Sequence, residues 1–131
     1  MNDNGKVIQW FPGHMAKAKR EIMEKINMVD LVIELKDARI PYSSTNPLID
    51  EIVGNKPRLI LLCKSSIADS EITKQWISYY QKKRILALDI DCLTNYHINS
   101  VIKYANMALS DVMKAREKKG ILSKQIKAMI L

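Results

Sequence analysis

Residues 59–63, Leu-Ile-Leu-Leu-Cys, constrain the fold more than any other part of the chain. The run is apolar at every position and too short for an ordinary helix, so it reads as a strand buried on both faces. Such a strand sits centrally in a parallel sheet, and parallel neighbours must be joined by crossovers, usually helical. The flanking sequence supplies them. Met15, Ala18, Ile22, Ile26 and Val29 recur at helical spacing and predict an amphipathic helix over 15–28, followed by a short strand at 31–35. Asn46-Pro47 places an N-cap residue before a proline, opening a short helix through Ile52 that Gly54-Asn55 and Pro57 end. A helix over 70–83, capped by Asp69 or Ser70, leads to a third strand at 85–90. One long helix over 98–119 carries Ile98, Val101, Ile102, Ala105, Leu109 and Val112 on one face and stops at Gly120. A fourth apolar strand begins at Ile126.

Helix and strand alternate throughout 1–131, the grammar of a single α/β unit with a parallel sheet. Ligands in such sheets bind beyond the carboxyl ends of the strands, so functional residues are expected after Leu35, Leu62, Ile90 and Leu131. The net charge of +7 is uneven. Residues 1–26 hold five Lys or Arg against three acids and 103–131 hold seven against two, while 27–102 carry nine of each. Basic ends around a neutral centre suit contact with a polyanion, and equally suit a solubilising surface. No apolar stretch reaches the roughly 20 residues of a membrane span. Two cysteines, Cys63 and Cys92, make neither a disulfide framework nor a metal site, and a cytoplasmic location is the expectation.

Gln9-Trp10-Phe11-Pro12-Gly13-His14-Met15-Ala16-Lys17-Ala18 resembles the opening of the YlqF/RbgA family, the ribosome biogenesis GTPase A type. Asp37-Ala38-Arg39-Ile40-Pro41, followed by Ser43, Asn46 and Pro47, is similar to a second family segment, and the likeness extends over about 7–131. The resemblance implies a Ras-like GTPase sheet in circularly permuted order, with guanine-reading motifs first and the phosphate-binding P-loop after them. It implies GTP and Mg²⁺ as ligands of the intact protein, late assembly of the large ribosomal subunit as its task, and the subunit precursor and rRNA as partners. On that layout Cys63, Lys64 and Ser66 hold the N-K-x-D positions, and Asp89 and Asp91 fall in the second base-contacting loop. The strand closing the chain is the one that runs into the P-loop in the family.

Two departures from the family pattern matter. Cys63 stands where Asn belongs and Ser66 where Asp belongs. A carboxylate accepts two guanine N–H groups with charge assistance, which a neutral hydroxyl cannot do; losing such a contact costs on the order of 2–4 kcal/mol. Asp69 is a weak substitute, more simply a helix cap. The four glycines are isolated, no Gly-Lys-Ser/Thr occurs, and a P-loop is absent from the sequence. The chain by itself is therefore not expected to bind or hydrolyse GTP. It reads as the guanine-reading half of a permuted G domain, or as a non-catalytic rRNA-binding remnant of one, with an exposed sheet edge prone to self-association.

His14 takes, by resemblance, a role in positioning or activating water; a loop histidine that caps the first helix is the plain alternative. Trp10 and Phe11 either stack on RNA bases or pin the terminus to the core. Asp37 and Arg39 follow a strand end and form either a polar site or an internal ion pair. Lys17, Lys19 and Arg20 at one end, and Lys114, Arg116, Lys118 and Lys119 at the other, are the candidate RNA contacts. The methionines at 15, 23 and 28, with Ile22, read as core packing.

Overall fold

The computed structural model describes residues 12–42, 47–120 and 125–131. Helix α1 spans Pro12–Ile26, strand β1 Leu31–Asp37, helix α2 Pro47–Val53 and strand β2 Arg58–Cys63. A 3₁₀ turn at Ser65–Ile67 leads into α3, Ser70–Lys82, then β3, Leu86–Asp89. After a second 3₁₀ turn at Ile98–Ser100 come α4, Val101–Ala108, α5, Ser110–Lys118, and β4, Ala128–Ile130. The strands form one sheet in the order β3-β2-β1-β4, and every pairing is parallel. This is the α/β architecture anticipated from the alternation of elements, flanked by helices on both faces.

Strand β2 is central, as its composition requires. Leu59, Ile60 and Leu62 are fully buried, and side chains leave the strand toward both faces. Leu59 and Leu61 join Leu31, Ile33, Leu88, Ile90 and Leu109 in a core covered by α4 and α5. Ile60 and Leu62 pack with Tyr80 and Ala87 beneath α3. Val32 packs with Ile26, Ile52 and Val53 beneath α1 and α2. Each fully buried leucine or isoleucine contributes about 1.5–3 kcal/mol relative to exposure.

Two helical expectations change in the structure. The segment 98–119 is two α-helices meeting at Leu109, which is wholly buried in the core, rather than one continuous rod. Val101 and Ala105 face that core, whereas Ile102, one residue and about 100° further round, is 74% exposed. Ile26 of α1 is buried, but Met23 of the same helix and Met28 just beyond it are exposed rather than packed in a core. Asp69 caps α3, accepting from the Glu71 and Ile72 N–H groups at 2.9 and 3.2 Å. Asn46, Ser43, Trp10 and Phe11 lie outside the described residues.

An ion cluster crosses the sheet between the α3 core and the α1/α2 core. Glu34 of β1 accepts from Arg58 Nε at 3.1 Å and pairs with Lys36 at 3.1 Å, and Arg58 reaches Asp50 of α2 at 2.7 Å. Glu34 and Lys36 are 3% and 4% exposed, so neither charge is tolerable alone. Burial acts against the charge on Arg58, yet Glu34 and Asp50 outweigh it and hold the guanidinium's pKa above its ordinary value. At the other edge, Asp30 receives Arg116 of α5 and the Lys127 N–H, and it donates its own N–H to Lys127 O at 2.8 Å. This clamp docks the approach to β4 beside β1.

Glu34→Gln removes the charge that both Arg58 and Lys36 face. It is expected to lower unfolding free energy in urea by about 3 kcal/mol; a change below about 1 kcal/mol would show that the cluster does not hold the sheet.

Candidate functional site

The carboxyl ends of β1, β2 and β3 converge because parallel strands in register must finish on the same side. Leu62 pairs with Lys36 on one side and Asp89 on the other, and Asp37 with Cys63. Backbone bonds tie the ends together: Ala38 N–H donates to Cys63 O at 2.8 Å, Ile90 N–H to Leu62 O at 2.9 Å, and Ser65 N–H to Ile90 O at 3.1 Å. The structure thus brings Asp37, Arg39, Cys63, Lys64, Ser66, Asp89 and Asp91 to one end of the sheet.

Asp91 organises the turn after β3. Its Oδ1 accepts from the Leu93 and Thr94 N–H groups at 2.8 and 3.2 Å. Its Oδ2 accepts from the Ser66 N–H at 3.3 Å and from the Ser66 hydroxyl. Four donors occupy a carboxylate with about four lone-pair sites, so little acceptor capacity remains for a ligand. The Ser66 hydroxyl is the foremost cause that holds the Asp91 carboxyl below its usual range; burial opposes it, and the N–H groups of Leu93, Thr94 and Ser66 add to the lowering. One carboxylate therefore joins the loop after β2 to the loop after β3.

At β1, the Arg39 side chain is the main cause that holds Asp37 well below the usual carboxylate range. Arg39 Nε and NH2 reach Asp37 at 3.0 and 2.6 Å, and the Arg39 N–H donates at 2.9 Å. Asp37 in turn raises the Arg39 pKa. Lys64, in left-handed conformation at φ 62°, brings its ammonium to 3.8 Å from Asp37. Cys63 is half-buried; burial first, then Cys92 and Asp37, push its thiol up, so it remains a neutral thiol near pH 7. Asp89 lies beside His97, whose Nδ1 is 3.0 Å from Asp89 O and 3.5 Å from Asp89 Oδ1, and whose ring stacks on Tyr96 at 3.8 Å. A cavity of about 420 Å³ opens here, lined by Ser65, Ser66, Thr73, Asp89, Thr94 and Tyr96.

This end of the sheet fits a guanine base poorly. Ser66 spends its hydroxyl on Asp91, Asp91 is saturated, Asp37 is paired with Arg39, and Cys63 is neutral. No catalytic step follows from these groups. No group of His, Cys, Asp and Glu with metal-binding geometry occurs among the described residues.

The basic candidates divide. Lys17, Arg20, Lys114, Lys118 and Lys119 are exposed. Lys19 instead bridges α1 to α2 through Glu51 at 2.5 Å, and Arg116 is committed to Asp30. His14 lies in the first turn of α1, with its side chain outside the described residues. The Ser66–Asp91 link escapes sequence reasoning because the two positions are 25 residues apart. The only signal was their shared placement after neighbouring strands.

No family model matches the chain. Ribosome biogenesis GTPase A of Bacillus cereus is 44% identical over 125 residues, covering 95% of this chain and 42% of the relative. The same protein of Priestia megaterium is 46% identical over 125 residues, covering 95% and 43%. Mitochondrial ribosome-associated GTPase 1 of Mus musculus is 37% identical over 97 residues, covering 73% and 30%. The crystal structure of GNP-bound YlqF from T. maritima matches with a TM-score of 0.58 and 25% identity, over 87% of this chain and 41% of that one. The chain thus spans about two-fifths of the length of the bacterial relatives it matches.

Asp91 has a depressed folded pKa, so its stabilisation is complete above the ordinary carboxylate range near about pH 4 and is lost as pH falls below it. Asp91→Asn is expected to lower the urea midpoint at neutral pH, with the gap to the native chain narrowing progressively as pH falls below the ordinary carboxylate range. A gap that stays constant as the pH falls would contradict a charge-dependent link.

Proposed function

The chain is a homologue of the YlqF/RbgA-type ribosome biogenesis GTPases over nearly all of its length, and we propose that it is the guanine-reading half of such a permuted G domain, acting in late assembly of the large ribosomal subunit. The observation that carries this reading is 44% identity across 95% of the chain, joined to a parallel sheet that matches a YlqF structure. In the intact protein the ligands are GTP and Mg²⁺, bound mainly through phosphate-binding residues that this sequence does not contain. Cys63, Lys64, Ser66, Asp89 and Asp91 mark the base-facing edge, with Asp37 and Arg39 beside it, and His14 stands toward the water-positioning role.

This half works on the ribosome without hydrolysing nucleotide. The saturated Asp91 and neutral Ser66 favour that reading over a self-sufficient GTPase. Its partners are the large-subunit precursor and rRNA in the cytoplasm, met by Lys17, Arg20, Lys114, Lys118 and Lys119. Among the described strands β4 is an edge, with Ile130 64% exposed, and it is the surface through which copies of the chain self-associate.

Sedimentation with large-subunit precursor particles tests the proposal. The chain is expected to travel with the particles in the absence of nucleotide and to be released by salt. Reversing Lys114, Lys118 and Lys119 to Glu should weaken association about tenfold or more and flatten its salt dependence. A chain that remains at the top of the gradient overturns the ribosome-directed reading.

A further inference from the structure

Two cavities, one over the face of the sheet between α2 and α3 and one beside the starts of β2 and β3, share Arg58, Lys83 and Ile85 among their lining residues. The first holds about 310 Å³. Its floor is the ion cluster of Lys36 and Arg58, and its walls include Trp76, Tyr79 and Tyr80 of α3 and Tyr42 beyond β1. The second holds about 550 Å³ and includes Lys56, Arg58, Lys83 and Arg84 in its lining. Acidic groups are fewer: Asp50, already 2.7 Å from Arg58, lines the first cavity and Asp111 the second.

The aromatic wall is not simply core. Tyr80 is buried and Trp76 is half-buried against the Ile60 and Leu62 core, but Tyr79 is 42% exposed and Tyr42 is 76% exposed. Trp76 and Tyr79 meet edge to face at 5.4 Å, as do Tyr79 and Tyr80 at the same separation, so their rings stand at different angles. Lys83 lies 4.5 Å from the Tyr79 ring centre. Exposed ring faces take flat π-systems of any sequence, while cations beside them take phosphates. An aromatic cavity beside a basic one, with Arg58, Lys83 and Ile85 between them, therefore matches the repeating chemistry of a single nucleic-acid strand. The chain's net charge of +7 favours the same partner.

Arg84 adds a second observation. It follows the end of α3 in left-handed conformation, φ 62°, where glycine relieves steric cost and arginine does not. The position carries a strained arginine that lines the basic cavity.

We propose that these paired cavities bind single-stranded RNA, with one unpaired base entering against Tyr79 and Trp76 and its flanking phosphates lying along Lys56, Lys83 and Arg84. Stacking supplies most of the affinity and tolerates any base, since the polar floor is already engaged in ion pairs. The choice of RNA rests on the ribosome-directed reading above; neither cavity includes Cys63, Lys64, Ser66, Asp89 or Asp91.

Fluorescence anisotropy of a labelled, unstructured RNA decamer with the full chain tests it. Tyr79→Ala is expected to weaken binding about tenfold with an unchanged salt slope. Arg84→Gly should also weaken binding and reduce the salt slope by about 0.7, while its thermal midpoint stays level or rises. That combination separates lost binding from lost folding. A duplex of the same length should compete poorly. Both variants binding like the native chain, or an acidic peptide of equal charge displacing the RNA as well as unlabelled RNA does, overturns the proposal. If the chain still sediments with precursor particles in those cases, this site alone is refuted. If it associates with neither RNA nor particles, the ribosome-directed reading falls too.

Discussion

Strand β2 has a parallel neighbour on each edge and helices over each face, and this double burial dictates the remaining geometry. Parallel pairing forces every connection to cross back over the sheet, which explains why helices alternate with strands. It also forces β1, β2 and β3 to finish on one side, bringing together Asp37, Cys63 and Asp89, each 26 residues from the next in sequence. The cost is a polar cluster within the covered face. Glu34, Lys36 and Arg58 point to the same face as Ile60 and Val32, and their mutual pairing lets the two apolar cores meet around buried charge.

Much of this is legible in the residues themselves. The all-apolar 59–63 run, the Asn46-Pro47 entry and the Asp69 cap each point to an element or boundary through local chemistry. Strands β1 to β4 lie within or close to their expected ranges. What escapes local reading depends on tertiary contact. Leu109 breaks the 98–119 segment because the core draws it in, and Ile102 faces outward because the helical phase favours Val101 and Ala105. Met23 lies on an exposed part of α1, and Met28 lies beyond the helix end, so neither joins a core.

The candidate site shows the same division. Sequence position singles out Cys63, Lys64, Ser66, Asp89 and Asp91, and the fold does collect them. Their chemistry is decided by contacts that no spacing rule reveals. Asp91 has donors on both oxygens, so it acts as a link between loops. Lys19 and Arg116, alike in sequence to their basic neighbours, become structural ties through Glu51 and Asp30. The aromatic and basic cavities arise in the same way, from α3 and the residues after it meeting β1, β2 and the loop before β2.

Calorimetric titration of the chain with GTP, alongside ATP, tests the central claim most directly. With the Asp91 carboxylate saturated and no phosphate-binding loop motif in the sequence, the account predicts no saturable binding tighter than about 1 mM for either nucleotide. A Kd near about 1 μM for GTP, with ATP bound about a hundredfold more weakly, would contradict it.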